Sequence, residues 1–245
     1  MSDSANGAVL IAVPLWHRYP QSLASILALR NGGQPVHFLM LADDDPHDAT
    51  TTMGAYANIT RKYEMARAVC LAGDYAALLL VEDDMIVPPD ALTRLLAADA
   101  DVAYGLTCWR HGRPGWSPRI TLDASGRVDN LSAYPDEARA SWGKVIDVAG
   151  VGTFCTLVRR RVMERLAFRL SETLDVCCDW WLAVDCQREG FTQRADLGVV
   201  CGHIAPDPTP RVIWPDAREK RLWRVELLSP TSARGLTSPA CLPAT

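Results

Sequence analysis

Residues 76–81, Ala-Ala-Leu-Leu-Leu-Val, run without a polar break straight into Glu82-Asp83-Asp84. An apolar run of that length with no alternation predicts a strand buried on both faces. Such strands belong to sheets covered by helices on either side, and the neighbouring sequence supplies both elements. AVLIAV (8–13) and VHFLML (36–41) predict two more strands, the second ending in Ala42-Asp43-Asp44-Asp45-Pro46. Residues 21–30 carry apolar positions at helical spacing and stop at Asn31-Gly32-Gly33; residues 59–74 predict a second helix, with Gly73 near its end. Pro88-Pro89 precede a third helix over 90–99, and 101–108 predict a fourth strand. This alternation predicts an α/β fold with a mostly parallel central sheet flanked by helices. Ligands in such folds bind outside the carboxyl ends of the strands, where the acidic triplet lies.

After residue 108 the texture changes. WRHGRPGWSPR (109–119) predicts an irregular loop, and residues 119–131 a hairpin around Ser125-Gly126. Strand material over 145–158 is interrupted by Gly150 and Gly152; helices follow at 159–167 and 178–190, the latter closed by Gly190, and a last strand at 195–203. The stretch 229–245 is rich in Ser, Thr and Pro with no acidic residue, so a flexible tail is expected there. With no repeat and no linker-like composition, a single domain over 1–228 is expected.

A chain of 245 residues buries enough surface to fold without covalent staples. Its eight cysteines contain no C-x-x-C and sit mostly in apolar runs, so unpaired thiols in a reducing, cytoplasmic compartment are expected. The apolar stretch Ala8–Leu15 is too short for a membrane span and lacks a signal peptide's basic flank. A net charge of −4 gives no global reason to bind nucleic acid. Two local basic and aromatic segments remain. One holds Arg211, Arg218, Lys220, Arg221 and Arg224 with Trp214 and Trp223; the other holds Arg110, Arg113 and Arg119 with Trp109 and Trp116. Each is a candidate for a phosphate-bearing acceptor, the alternative for 211–224 being a solvated amphipathic helix that packs its tryptophans on the body.

Three adjacent carboxylates repel one another and resist burial, so a compensating positive charge is expected near residues 82–84. A divalent cation suits them; a solvated acidic loop leading into the next helix, with Asp90 at its start, is the alternative. His203 follows Cys201-Gly202 at a strand end, where glycine allows close backbone approach to a metal, although a single His is also an ordinary surface or core residue. Asp179 opens a helix as an N-cap or as a carboxylate aimed at a ligand. Trp180 and Trp181 beside it suit core packing or stacking on a sugar.

VEDDMIVPPDAL, GVGTFCTLVRRRVMERL, DWWLAVDCQREGF and GVVCGH, in this order, resemble a GT-A-fold glycosyltransferase of the compact, family-2-like type found in bacteria and phages. The resemblance spans Ala8 to His203. It implies the GT-A (nucleotide-diphospho-sugar transferase) fold, with a nucleotide-sugar half over about 8–108 and an acceptor half over about 109–228. It makes Glu82-Asp83-Asp84 the counterpart of the D-x-D motif, with Asp84 a metal ligand and Glu82 and Asp83 against the ribose or donor sugar. His203 would be the second metal ligand, Pro14 would meet the nucleobase and Arg61 the pyrophosphate. Asp179 would be the base of an inverting enzyme, with Trp109, Arg110, Trp180 and Trp181 on the acceptor side. Glu82 departs from the usual first Asp, and Cys178 leaves Asp179 as a single carboxylate. The implied cofactor is Mn²⁺ or Mg²⁺ and the implied donor a nucleotide sugar, a UDP-sugar favoured. The acceptor is a glycan, a small molecule or a hydroxymethylated base in DNA. Two alternatives are a sugar nucleotidyltransferase, whose usual Gly-rich basic loop is replaced here by VPLWHRYP, and an inactive nucleotide- or glycan-binding protein.

Overall fold

The apolar runs form the middle of a sheet. In the computed structural model, which describes residues 7–42, 46–110, 114–171, 174–206 and 209–228, the first half of the chain follows the expected order. Strand β1 (Ala8–Pro14) leads to α1 (Pro20–Leu27), β2 (Val36–Leu41), α2 (Thr52–Ala72), β3 (Tyr75–Val81), a two-residue β4 (Met85–Ile86), α3 (Ala91–Ala97) and β5 (Val102–Leu106). The second half contains the hairpin β6 (Arg119–Leu122) and β7 (Val128–Asn130), α4 (Pro135–Ser141), β8 (Val145–Asp147), β9 (Cys155–Arg159), α5 (Arg160–Arg165), α6 (Cys178–Glu189) and β10 (Gln193–Val200). Strands β11 (Gly202–Ala205), β12 (Arg211–Pro215) and β13 (Trp223–Leu227) follow.

Seven strands make the central sheet in the order β2-β1-β3-β9-β5-β10-β8. Strand β1 is parallel to β2 and β3, and β5 to β10, whereas β9 is antiparallel to both its neighbours and β8 to β10. The sheet is therefore mixed, with β2, β1, β3, β5 and β10 running one way and β9 and β8 the other. The cause lies in residues 145–158: the chain reaches β9 from the carboxyl-end side of β3, where Cys155 pairs with Val81, and so runs back between β3 and β5.

Side chains alternate between two cores. Leu10, Leu78, Leu80 and Tyr104 face Tyr63, Ala66 and Cys70 of α2 and Leu182 of α6. Val9, Ile11, Leu79 and Ala103 face Ile26 of α1 and Leu92 and Leu95 of α3. Helices thus cover both faces, which is why residues 78–81 read as a run with no polar side. Arg160 anchors this packing by donating to the carbonyls of Cys70, Leu71, Gly73 and Tyr75, at the otherwise unsatisfied end of α2.

Three elements differ from the sequence expectation. Helix α2 starts seven residues earlier than predicted, because the Thr51 hydroxyl accepts the Gly54 N–H and caps it. Helix α4 was not among the expected elements, although Pro135 at its first turn and Asp136 and Glu137 beside it favour a helix start there. The amphipathic helix over 211–224 is replaced by the antiparallel pair β12–β13, part of a second sheet ordered β13-β12-β11-β4. There Trp214 lies opposite Arg224, whose guanidinium sits 5.4 Å from the indole centroid, and Trp214 Nε1 donates to Glu226. Arg218 and Arg224 pair with Asp216 and Arg221 lies over Trp223, so internal partners take up much of this basic segment's charge. The seven cysteines among the described residues are free thiols. No helix among the described residues is long and apolar enough to cross a membrane. The expected flexible tail over 229–245 and Arg113 lie outside the described residues.

Candidate functional site

A cavity of about 670 Å³ opens beyond the carboxyl ends of β1 and β3. It is lined by Pro14, by all three residues of the acidic triplet, by His203, and across from them by Asp179. Trp109, Arg110 and Trp180 also line it, so most of the residues singled out in the sequence converge on one space. Arg61 and Trp181 do not.

The three carboxylates are compensated in three different ways. Glu82 accepts the Tyr63 hydroxyl at 2.7 Å, and Tyr63 in turn accepts from Thr153. Burial and the charge of Asp84 push the Glu82 carboxyl up to about 7. Asp83 turns one oxygen onto the backbone N–H groups of Trp16 and Arg18, both at 2.6 Å, and so ties down the loop after β1, where Arg18 is held at positive φ. Burial raises the Asp83 carboxyl nonetheless. Asp84 meets the guanidinium of Arg110 through Oδ2. Burial works against its charge, but His203 and Arg110 outweigh burial and hold the carboxyl at about 2. The positive charge anticipated next to the triplet is therefore in part a protein side chain.

His203 is not at the end of a last strand but inside β11, paired with Met85, directly across from the acidic turn. Its Nδ1 lies 2.8 Å from the carbonyl oxygen of Cys108. A carbonyl only accepts, so Nδ1 carries a proton, and a metal would have to be met through the lone pair that Nε2 exposes when it is deprotonated. That Nε2 is 3.5 Å from Asp84 Oδ2. His203 Nε2 and Asp84 Oδ1 are both buried with no hydrogen-bond partner. A buried imidazole nitrogen and a buried carboxylate oxygen without partners, on side chains that approach to 3.5 Å, suit a divalent cation once Nε2 is deprotonated. Among the described residues no group of three or more His, Cys, Asp or Glu is placed to hold a metal ion. Asp84 and His203 alone could offer a cation two ligands, and the rest would have to come from phosphate or water. Gly202 beside it answers to packing, since a Cβ there would meet Val212 and Trp214 at 2.6–2.8 Å.

At the far end, Asp179 lies in the first turn of α6 but does not cap it; Cys177 holds the N-cap position. Asp179 instead accepts from Arg119 at 3.3 Å. Trp180 lines the cavity and donates its Nε1 to the Asp123 carbonyl. Trp181 faces a separate cluster under the guanidinium of Arg169, 4.3 Å from its centroid, and is a packing residue.

Arg61 misses the cavity for a geometric reason. Ala55, Tyr56, Ile59 and Lys62 share the face of α2 that lines it, and residue 61 lies about 100° around the helix from residue 62. Lys62 is the cation on that face; it donates to the Leu15 carbonyl at 3.1 Å and sits 5.7 Å from the Trp16 ring. Helical periodicity would have chosen Lys62 once the true start of α2 was known. Trp16 and His17, on the loop after β1, also line the cavity; burial lowers the pKa of His17. Nothing in the sequence marked them beyond their place after the first strand. Phe154 links the two ends, 5.3 Å from the Trp109 ring and 5.2 Å from His203.

The state of Glu82 gives a pH prediction for cation-free protein. Its folded pKa of about 7 lies above the ordinary value of 4.5, so the folded state keeps a proton the unfolded chain has released. Stability therefore falls as pH rises from 4.5 through 7. Glu82→Gln, which still accepts from Tyr63, is expected to melt like the wild type at pH 4. At pH 8 it should be more stable by on the order of 2 kcal/mol, several degrees in Tm. Equal melting temperatures at both pH values would contradict the assignment.

No protein-family model matches the chain, and no curated protein matches it in sequence. Among solved structures, A197 from STIV is similar in fold, with a TM-score of 0.55 and 14% sequence identity over 91% of this chain and 94% of that one. At that identity the likeness bears on the fold alone. The chain is a single α/β unit with a mixed seven-stranded sheet between helical layers.

Proposed function

We propose that this chain is a metal-dependent glycosyltransferase of the GT-A type, moving a sugar from a nucleotide-diphosphate sugar to an acceptor hydroxyl with inversion. The observation that carries the reading is the buried Asp84–His203 pair, with one unpartnered polar atom on each residue, facing the cavity that also holds Asp179. A Mn²⁺ or Mg²⁺ ion held by Asp84 and His203 would supply Lewis-acid stabilisation of a departing diphosphate.

The remaining chemistry belongs to the chain's own side chains. Pro14, Trp16 and His17, on the loop pinned by Asp83, form the wall for the nucleobase. Lys62 is the basic side chain of the α2 face toward the phosphates, the role the sequence resemblance gave to Arg61. In the transfer step the acceptor oxygen bonds to the anomeric carbon as the bond from that carbon to the diphosphate oxygen breaks. The diphosphate leaves with the electron pair, and Asp179 takes the acceptor's hydroxyl proton. Arg119 keeps Asp179 oriented for this role. The aromatic wall of Trp109, Phe154 and Trp180 limits water at the reacting carbon.

The test is a thermal-shift panel of UDP-, GDP-, CMP- and dTDP-sugars, with and without Mn²⁺, on wild type, Asp84→Asn and His203→Ala. A ligand at 100 times its Kd stabilises by about 2.7 kcal/mol, a shift of several degrees for a chain of this size. One nucleotide should give a Mn²⁺-dependent shift that both variants lose. A shift that survives in both variants, or none in the wild type, would sink the reading.

A further inference from the structure

Arg119 stands apart from the other basic side chains of the cavity. It is 6% exposed, lines the cavity, and spends one nitrogen on Asp179, while Nη1 is buried with no hydrogen-bond partner. Its guanidinium carbon lies 5.2 Å from the ring centroids of both Trp109 and Trp180. A buried donor of a charged group left unmade is costly, and a ligand oxygen is the natural partner for it. The neighbouring Asp179 is an acceptor. Donor and acceptor thus stand side by side beneath two indoles, an arrangement matched by two adjacent hydroxyls on a ring with an apolar C–H face.

Charge selects between acceptor classes. Among the described residues, five carboxylates line the cavity against three Lys and Arg side chains and two histidines, both histidines away from the Asp179 end. Arg110 and Arg119 are already paired with Asp84 and Asp179. The basic residues at 211–224 do not line the cavity. A phosphate-rich acceptor would find little uncompensated positive charge at the Asp179 end. We infer that Arg119 and Asp179, with Trp109 and Trp180, form an acceptor subsite for a neutral carbohydrate or polyol, in which Arg119 donates to one hydroxyl oxygen and Asp179 accepts from its neighbour. This rests on the transferase reading above.

The experiment is saturation-transfer NMR on the full chain with Mn²⁺ and the nucleoside diphosphate selected by the thermal-shift panel. One probe set contains the methyl glycosides of glucose, galactose and mannose; the other contains glycerol 3-phosphate and a short DNA duplex. The wild type is expected to saturate at least one methyl glycoside and neither phosphate-bearing probe. Arg119→Lys, which keeps the charge but loses the planar fork, is expected to weaken glycoside binding at least tenfold while leaving the nucleotide shift unchanged. Saturation of the phosphate-bearing probes alone, of no probe, or an unchanged glycoside affinity in Arg119→Lys would overturn the inference. The wild-type comparison of the two sets decides the matter even if the variant does not fold. Failure of the nucleotide shift sinks the transferase reading, whereas failure of glycoside binding with that shift intact sinks the subsite alone.

Discussion

Asp179→Asn is expected to lower the rate of sugar transfer by about 10²–10⁴-fold while leaving nucleotide-sugar binding unchanged. The substitution is close to isosteric, and the Asn carbonyl still accepts from Arg119, so the 3.3 Å contact and the first turn of α6 persist. What is lost is the ability to take a proton. Donor binding at the Asp84 end would draw on the acidic turn after β3, on β11 and on α2, and should be untouched by the change. A rate-limiting loss of kcat with an unaltered thermal shift is the expected signature, read by product formation once an acceptor is in hand. Equal loss of donor binding would assign Asp179 to the donor instead, and an unchanged rate would remove it from the chemistry.

The largest stability effect is expected at Trp116. It is fully buried, bridges to Cys108, packs 5.5 Å from the Trp142 ring, and donates its Nε1 to the Leu222 carbonyl. It joins the loop after β5 to the turn between β12 and β13. Trp116→Ala removes a large side chain from a close-packed site and takes from the Leu222 carbonyl one of its two donors, the Asp216 N–H remaining. The expected cost is about 3–5 kcal/mol, roughly 10 °C in Tm. Arg110 and Trp109 ride on the same loop, so nucleotide binding should weaken as well. A melting temperature within about 2 °C of the wild type would show that this loop is not anchored through Trp116.

Much of this architecture was legible from hydrophobic pattern. Residues 8–13 and 76–81 needed only their unbroken apolar character to be placed as buried strands, residues 36–41 were placed as a strand and form the half-exposed edge of the sheet, and a carboxylate triplet after 76–81 marked the cavity. Strand direction was less legible, because nothing local to residues 155–159 says that they pair antiparallel between β3 and β5. The helical alternative for 211–224 failed because the segment's Trp and Arg positions suit a helix face nearly as well as a strand; the cross-strand pairing that decides it involves residues eight to sixteen apart. Within the site, the residue types carried the reading of Asp84, His203 and Asp179, but not the division of labour. Asp83 proved to be a clamp on the loop after β1, and Arg119, noted in the sequence only as part of a basic segment, faces Asp179 across a gap of sixty residues. Such partners are set by tertiary distance, which no single-sequence spacing encodes. The choice of Arg61 over Lys62 was a different kind of miss, one of helical phase.

Asp84 and His203 are proposed to share a cation whose other ligands come from a diphosphate. With only two protein ligands, the ion should bind weakly by itself and much more tightly once a nucleoside diphosphate is present, and the coupling must be reciprocal. Electron paramagnetic resonance of free Mn²⁺ measures this directly. Titrating the full chain into Mn²⁺ with UDP, and with GDP, CDP and dTDP in turn, is expected to remove the free-ion signal with one of them at least tenfold more effectively than with protein alone. Asp84→Asn should abolish that gain. Uptake of Mn²⁺ that is indifferent to every nucleotide, or that is unchanged in Asp84→Asn, would contradict the account.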